Sequence, residues 1–162
     1  MKTFLLLVQS ALLFTAPLLS AETLGDLARQ SGQDWMMGKW ESVDGRASVS
    51  YEWKLEKNAV GMKFKMGERE SEGMMMLQPG TEVVTFTAAD NAGGMTTGIW
   101  SEHEGHLILT AKHKASEGNE INMAFEHIKT DADTMTVKVY GLTASGAMES
   151  TPKFEIVYKR QK

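Results

Sequence analysis

The chain has 162 residues, a formal net charge of −4, 42% hydrophobic residues and no cysteine. That length bounds it to one domain, and the lack of cysteine excludes both a disulfide framework and an anchor lipidated on cysteine. A mildly acidic chain without a Lys/Arg cluster argues against nucleic acid as a partner.

The first segment in chain order is a leader. "MKTFLLLVQSALLFTAPLLSAE" carries one positive charge at Lys2, an apolar run from Phe4 to Leu19, and small residues Ser20 and Ala21 before the first acid, Glu22. This pattern predicts a secretory signal peptide over residues 1–21, cleaved after Ala21. The apolar run is short, contains Pro17 and has no basic stop-transfer flank, so no stable membrane insertion is expected after cleavage. Loss of Lys2 would take the net charge from −4 to −5. Residues 22–162 are then a single domain of about 140 residues, enough to bury a core without cross-links.

Next, "TLGDLARQSG" predicts a short helix. Thr23 can cap it, Asp26 follows three residues later as in a capping box, and Leu24, Leu27 and Ala28 share a face before Gly32. From Trp40 the hydrophobic period becomes two, the mark of strands with one buried side. After an opening strand from Lys39 to Val43, "RASVSYEWKLEKN" places Val49, Tyr51, Trp53 and Leu55 on one side, and "GMKFKM" does so with Met62, Phe64 and Met66. Further strands are predicted over Gly73 to Gln78, Thr81 to Ala88, Met95 to Glu102, His106 to Lys114, Glu120 to Lys129, Thr134 to Leu142 and Lys153 to Arg160.

Short turn signals separate them, among them Asp44-Gly45, Pro79-Gly80 and Glu104-Gly105. The polar stretch "GERESE" reads as a hairpin turn with solvated charges at Glu68, Glu70 and Glu72, and "GLTASGAMESTP" as a mobile loop at one rim. Short strands joined by tight turns make an antiparallel meander, and closure removes its two raw edges. The predicted fold is therefore all-β: a closed antiparallel up-and-down β-barrel of about ten strands with a short N-terminal helix.

At Gly38-Lys39-Trp40 this order of elements resembles the calycin superfamily, which includes lipocalins, fatty-acid-binding proteins and nitrobindins: a short helix, G-x-W on the first strand, then a meander. The stretch "SEGMMMLQPGTEVVTFTAADNAGGMTTGIWSEHEGHLILTAKH" resembles secreted bacterial lipocalin-like domains of unknown function. The resemblance implies a bacterial protein exported to the periplasm or the medium. It also implies that a basic side chain of the last strand covers the G-x-W tryptophan. In "FEIVYKR" the inward set Phe154, Ile156 and Tyr158 continues to Arg160, so Gly38, Trp40 and Arg160 are the expected barrel closure, with Trp35, Met36 and Met37 beneath the helix. A guanidinium over an indole contributes roughly 0.5 to 2 kcal/mol. The further lipocalin motifs and disulfides are missing.

His103 and His106 bracket the turn "EG" and read as surface histidines. His113 and His127 continue the apolar parities Leu107, Leu109, Ala111 and Ile121, Met123, Phe125, so both imidazoles are expected inside. They are the candidates for a metal or haem ligand; hydrogen-bonded core histidines give the same pattern. Met62, Met66, Met74 and Met76 are expected on one face of a hairpin with Phe64. They read as pliable core or pocket lining more readily than as thioether ligands of cuprous copper. No nucleophile elbow and no phosphate-binding glycine loop is present, so no catalytic residues are assigned and no cofactor is expected.

The reading carried forward is an exported barrel that binds a small apolar molecule, in a pocket lined by Tyr51, Trp53, Phe64, Met66, Met74, Met76, Phe86 and Met123. The rival is a solid-cored structural or protein-interaction module acting through rim loops 90–94 and 141–152, with a partner the sequence does not identify. A haem or metal barrel is the third alternative. An interior void below about 100 Å³ would favour the solid core.

Overall fold

A computed structural model describes residues 23–162; the predicted leader lies outside the described residues. The helix α1 spans Leu24–Gln30. Thr23 caps it: its hydroxyl accepts from the Asp26 amide at 3.1 Å, and its own amide donates to the Asp26 carboxylate at 3.2 Å. The reciprocal pair satisfies donors that a helix start otherwise leaves open. A 3-10 turn over Asp34–Met36 leads into the sheet.

Ten strands follow: β1 Gly38–Ser42, β2 Ala47–Lys54, β3 Ala59–Met66, β4 Arg69–Leu77, β5 Val84–Asp90, β6 Met95–His103, β7 His106–Lys114, β8 Glu120–Lys129, β9 Thr134–Gly141 and β10 Phe154–Arg160. Each pairs antiparallel with its neighbour in sequence, and β1 pairs with β10, so the sheet is a closed barrel. Alternation places Val49 and Tyr51 inside, at 5% and 4% exposure, and it recurs at Phe86 and Ala88, at Leu109 and Ala111, and at Met135 and Val137.

Several boundaries differ from the sequence expectation: Leu55, expected inward, lies in a 3-10 turn after β2 and is 69% exposed, β5 starts at Val84 and not at Thr81, and two further segments change the reading more. In "GERESE" only Gly67 and Glu68 turn; Met66 already pairs with Arg69, and the ladder runs on through Lys65 with Glu70 and Lys63 with Glu72. Those two charge pairs are salt bridges of 2.7 and 2.8 Å on the outer wall. A dense charge run thus marks the solvated side of a strand as readily as a turn. The segment 142–153 folds back instead of standing free: Leu142 bridges Met148, and Leu142 and Met148 pack on Ile108, Ala124 and Tyr140 of the outer wall.

One end of the barrel is closed by the chain's own beginning. Gln33 donates to the Gly105 carbonyl in the β6–β7 turn at 3.2 Å, and Arg160 donates to the Ala132 carbonyl in the β8–β9 turn at 3.3 Å. Between them lies Trp40, 1% exposed, its Nε1 donating to the Met36 carbonyl at 2.9 Å. The Arg160 Cζ lies 4.0 Å from the centroid of the Trp40 ring. Its Nη1 and Nη2 donate to the Met37 and Trp35 carbonyls at 2.6 and 2.7 Å. Trp35 meets Trp40 edge to face, with centroids 6.2 Å apart. Gly38 has φ +118°, and a Cβ there would lie 2.9 Å from Arg160 Nη1. Only glycine therefore lets the guanidinium reach the carbonyls beside it. Phe154, of inward parity, is 49% exposed because β10 begins at the opposite, open end.

Replacing Trp40 by alanine removes the plug's largest side chain and should lower the unfolding free energy by about 3 to 5 kcal/mol in urea titration. Arg160→Lys, which keeps the charge and loses the fork, should cost less but still measurably.

Candidate functional site

Curvature leaves space inside the barrel. A cavity of about 250 Å³ runs from the buried Tyr51, Trp100 and His127 near the closed end to Arg69 and the 52% exposed Ile121 at the other. Its wall is mainly apolar, with Phe64, Phe86, Met62, Met123, Leu109 and Phe125. Its polar groups fall into two sets, one deep and one at the mouth.

The deep set is His127 and Tyr51. The His127 Nδ1 lies 3.2 Å from the Phe125 carbonyl, and its Nε2 lies 3.2 Å from the Tyr51 hydroxyl. A carbonyl can only accept, so Nδ1 carries the proton and Nε2 accepts from Tyr51. Burial pushes the imidazole pKa down to about 4, against the opposing pull of the Phe125 and Leu107 backbone. Burial also raises the Tyr51 phenol, with Tyr158 adding to it. The Trp100 ring lies 4.9 Å from His127. The Trp100 Nε1 is sealed from solvent without a hydrogen-bond partner among the described residues.

At the mouth, β4 contributes Arg69 and Ser71, β5 Asp90, β6 Thr96 and β7 His113. Asp90 Oδ1 accepts from the Ala92 and Gly94 amides at 2.8 and 3.0 Å. The Gly94 amide is the largest cause of the lowered Asp90 pKa. Thr96 Oγ1 lies 3.1 Å from His113 Nδ1, and Asp90 Oδ2 lies 3.7 Å from His113 Nε2. A Cβ at Gly94 would stand 2.6 Å from His113 and 2.7 Å from Asp90, so the glycine is a condition of this cluster.

Of the pocket residues expected from sequence, Tyr51, Phe64, Phe86 and Met123 line the cavity. Trp53, Met66, Met74 and Met76 do not. In β3 and β4, Val60 pairs with Met75 and Met62 with Gly73. Met75 is therefore the inward methionine, 3% exposed, while Met76 is outside at 42%. Met74 shares the outward parity of Met76, so the expected meeting of four methionines on one face does not occur. Met66 stands at the β3–β4 turn, 43% exposed, and Trp53 packs on the core nearer the closed end.

His113 and His127 both line the cavity, at its two ends. Both nitrogens of His127 are engaged, so a metal or haem iron at Nε2 would have to displace Tyr51. Among the described residues no three His, Asp or Glu side chains come together as a metal site. His106 lies outside, its Nδ1 2.7 Å from the Glu126 carboxylate.

The polar lining residues missed from sequence are Arg69, Ser71, Asp90 and Thr96, and apolar ones such as Trp100 and Phe125 were not assigned to the pocket either. Arg69 and Ser71 were legible: a two-residue turn at Gly67-Glu68 sets Met66 opposite Arg69 and Phe64 opposite Ser71. Compared with protein families and curated proteins, the chain matches no family model and no curated sequence.

His127 makes folding sensitive to acid. The unfolded chain takes up a proton there below about pH 6.5, whereas the fold resists until about pH 4. Stability contributed above pH 6.5 is therefore lost as the pH falls through that window, by up to about 3 kcal/mol. Urea unfolding of the His127→Gln variant, compared with wild type between pH 7 and 4, should show a flatter pH dependence. Equal slopes would mean that His127 is not the group responsible.

Proposed function

We propose that this barrel is an exported binding protein that takes a small apolar molecule into its interior. The observation that carries the reading is the cavity itself: about 250 Å³, walled by aromatic, aliphatic and thioether side chains, and reaching exposed residues at one end. A solid-cored module would leave much less space, and voids of that size are rare in well-packed interiors. The driving force is removal of apolar ligand surface from water, about 2.5 kcal/mol for each 100 Å² before binding costs are deducted. Phe64 and Phe86 supply flat contact area, and Met62 and Met123 supply surfaces that adapt to different shapes.

Export rests on the leader pattern of residues 1–21, and a lipocalin-like ancestry on G-x-W before a meander. No described helix is long and apolar enough to cross a membrane. Recovery from the cell envelope with Glu22 as the first residue would test the export reading, and recovery from the cytoplasm with Met1 intact would refute it.

Naphthalene, neutral and compact, is a suitable probe of the cavity. Calorimetric titration should give saturable one-to-one binding, and Met123→Trp should abolish it by filling the space while the protein stays folded. Binding undiminished in the filled variant would place the probe elsewhere and remove the support for an interior site.

A further inference from the structure

We propose that the molecule held in this cavity has an uncharged polar head, one that both donates and accepts hydrogen bonds, seated at the mouth among Arg69, Ser71, Asp90, Thr96 and His113. This rests on the reading that the cavity holds a ligand. It adds which chemistry the ligand carries and which way it points.

The deep end offers a head group nothing. His127 and Tyr51 use each other and the Phe125 carbonyl, and Trp100 Nε1 is sealed away; the remaining lining phenol, Tyr158, lies on β10 within the field of Asp44 in the β1–β2 turn. A polar head placed there would be desolvated without a partner. The mouth is the reverse. Among the described residues the Arg69 guanidinium has no hydrogen-bond or ion-pair partner, the Ser71 hydroxyl has none, and Asp90 Oδ2 stands 3.7 Å from His113 Nε2, beyond hydrogen-bond reach. Donors and an acceptor therefore stand unengaged on one ring of lining residues.

Charge decides between head groups. The guanidinium is the mouth's lysine- or arginine-type cation, and its field already acts on two carboxylates, Asp90 and Glu117. The Asp90 side chain is only 6% exposed, so solvent screens it little. A carboxylate head would enter beside that buried anion and compete with it for Arg69. An ammonium head would meet Arg69 itself. A neutral amide or hydroxyl can accept from Arg69 and donate to Asp90 with no charge to desolvate.

The volume sets the length of the apolar part. At roughly the 30 Å³ that a water occupies in the liquid, 250 Å³ holds about eight methylene-sized groups.

Octanamide and octanoate share one chain and differ in the head. Calorimetric titration of the purified protein at pH 7 should show octanamide binding at least about tenfold more tightly, from the cost of bringing a carboxylate beside Asp90. In Asp90→Asn, whose amide oxygen can still accept from Ala92 and Gly94, octanoate should gain and the gap should shrink to about threefold or less once that repulsion is gone. An unchanged thermal midpoint would show that the loop survives. Octanoate equal to or tighter than octanamide in wild type would overturn the head-group assignment and leave the cavity reading standing. Failure of octanamide and naphthalene alike would overturn both.

Discussion

Closure hangs on one guanidinium. The seam between β1 and β10 is short, joining Trp40 to Arg160, Glu41 to Lys159 and Ser42 to Tyr158, whereas β2 and β3 pair along their full lengths from Ala47–Met66 to Lys54–Ala59. Backbone hydrogen bonds from Val43 to the Val157 carbonyl and from Gln161 to the Lys39 carbonyl lengthen the seam at each end, and side chains add to it. Arg160 supplies them from the last strand: it covers the Trp40 ring and donates to two carbonyls of the segment just before the first strand. Five rigidly placed N–H groups allow a single side chain to do this, and an ammonium has no such fork. Were the seam to open, the inward face of every strand would become the face of an open sheet, and the cavity would be lost.

Curvature has its own requirement. Gly73 and Gly98 stand at inward positions of β4 and β6, where a side chain would collide with the neighbouring strand. A Cβ on Gly98 would lie 2.6 Å from the Thr110 carbonyl oxygen. Such glycines let adjacent backbones approach and the sheet bend. They also leave room opposite: with no side chain at 73 and 98 and with alanine at 88 and 111, these positions of β4 to β7 stand back from the interior. The large side chains come from Phe64, Trp100 and Phe125. The cavity lies between these small residues and the large side chains around them.

Much of this was legible in the residue order. Val49, Tyr51 and Trp53 announce a half-buried strand, and Gly38 with Trp40 announces the closure, because alternation and a backbone needing positive φ are local properties. Register is not local. In Met74-Met75-Met76 the alternation carries no information, since all three residues are alike, and only the length of the preceding turn settles which one faces in. Reading "GERESE" as a turn lost that information and sent the wrong methionines inside. The mouth was missed for a related reason. Arg69, Asp90 and Thr96 are polar residues at inward positions, which a pattern of apolar alternation reads as strand ends. At an open rim the inward face is not required to be apolar, and this is where a site departs from the rule that identifies the core.

The pairing of His127 with Tyr51 bears on how such a barrel would orient a guest. A buried polar pair that satisfies itself adds little net stability over an apolar pair, and one left half satisfied is costly. Here both ring nitrogens and the phenol have partners within 3.2 Å, so the pair sits in the core without needing water or a ligand. It is chemically quiet, although the residues look reactive in the sequence. The unengaged Arg69 guanidinium and Ser71 hydroxyl lie at the other end, beside solvent. A molecule with one apolar and one polar end gains by entering apolar end first, because only the mouth can replace the hydrogen bonds that its head makes with water.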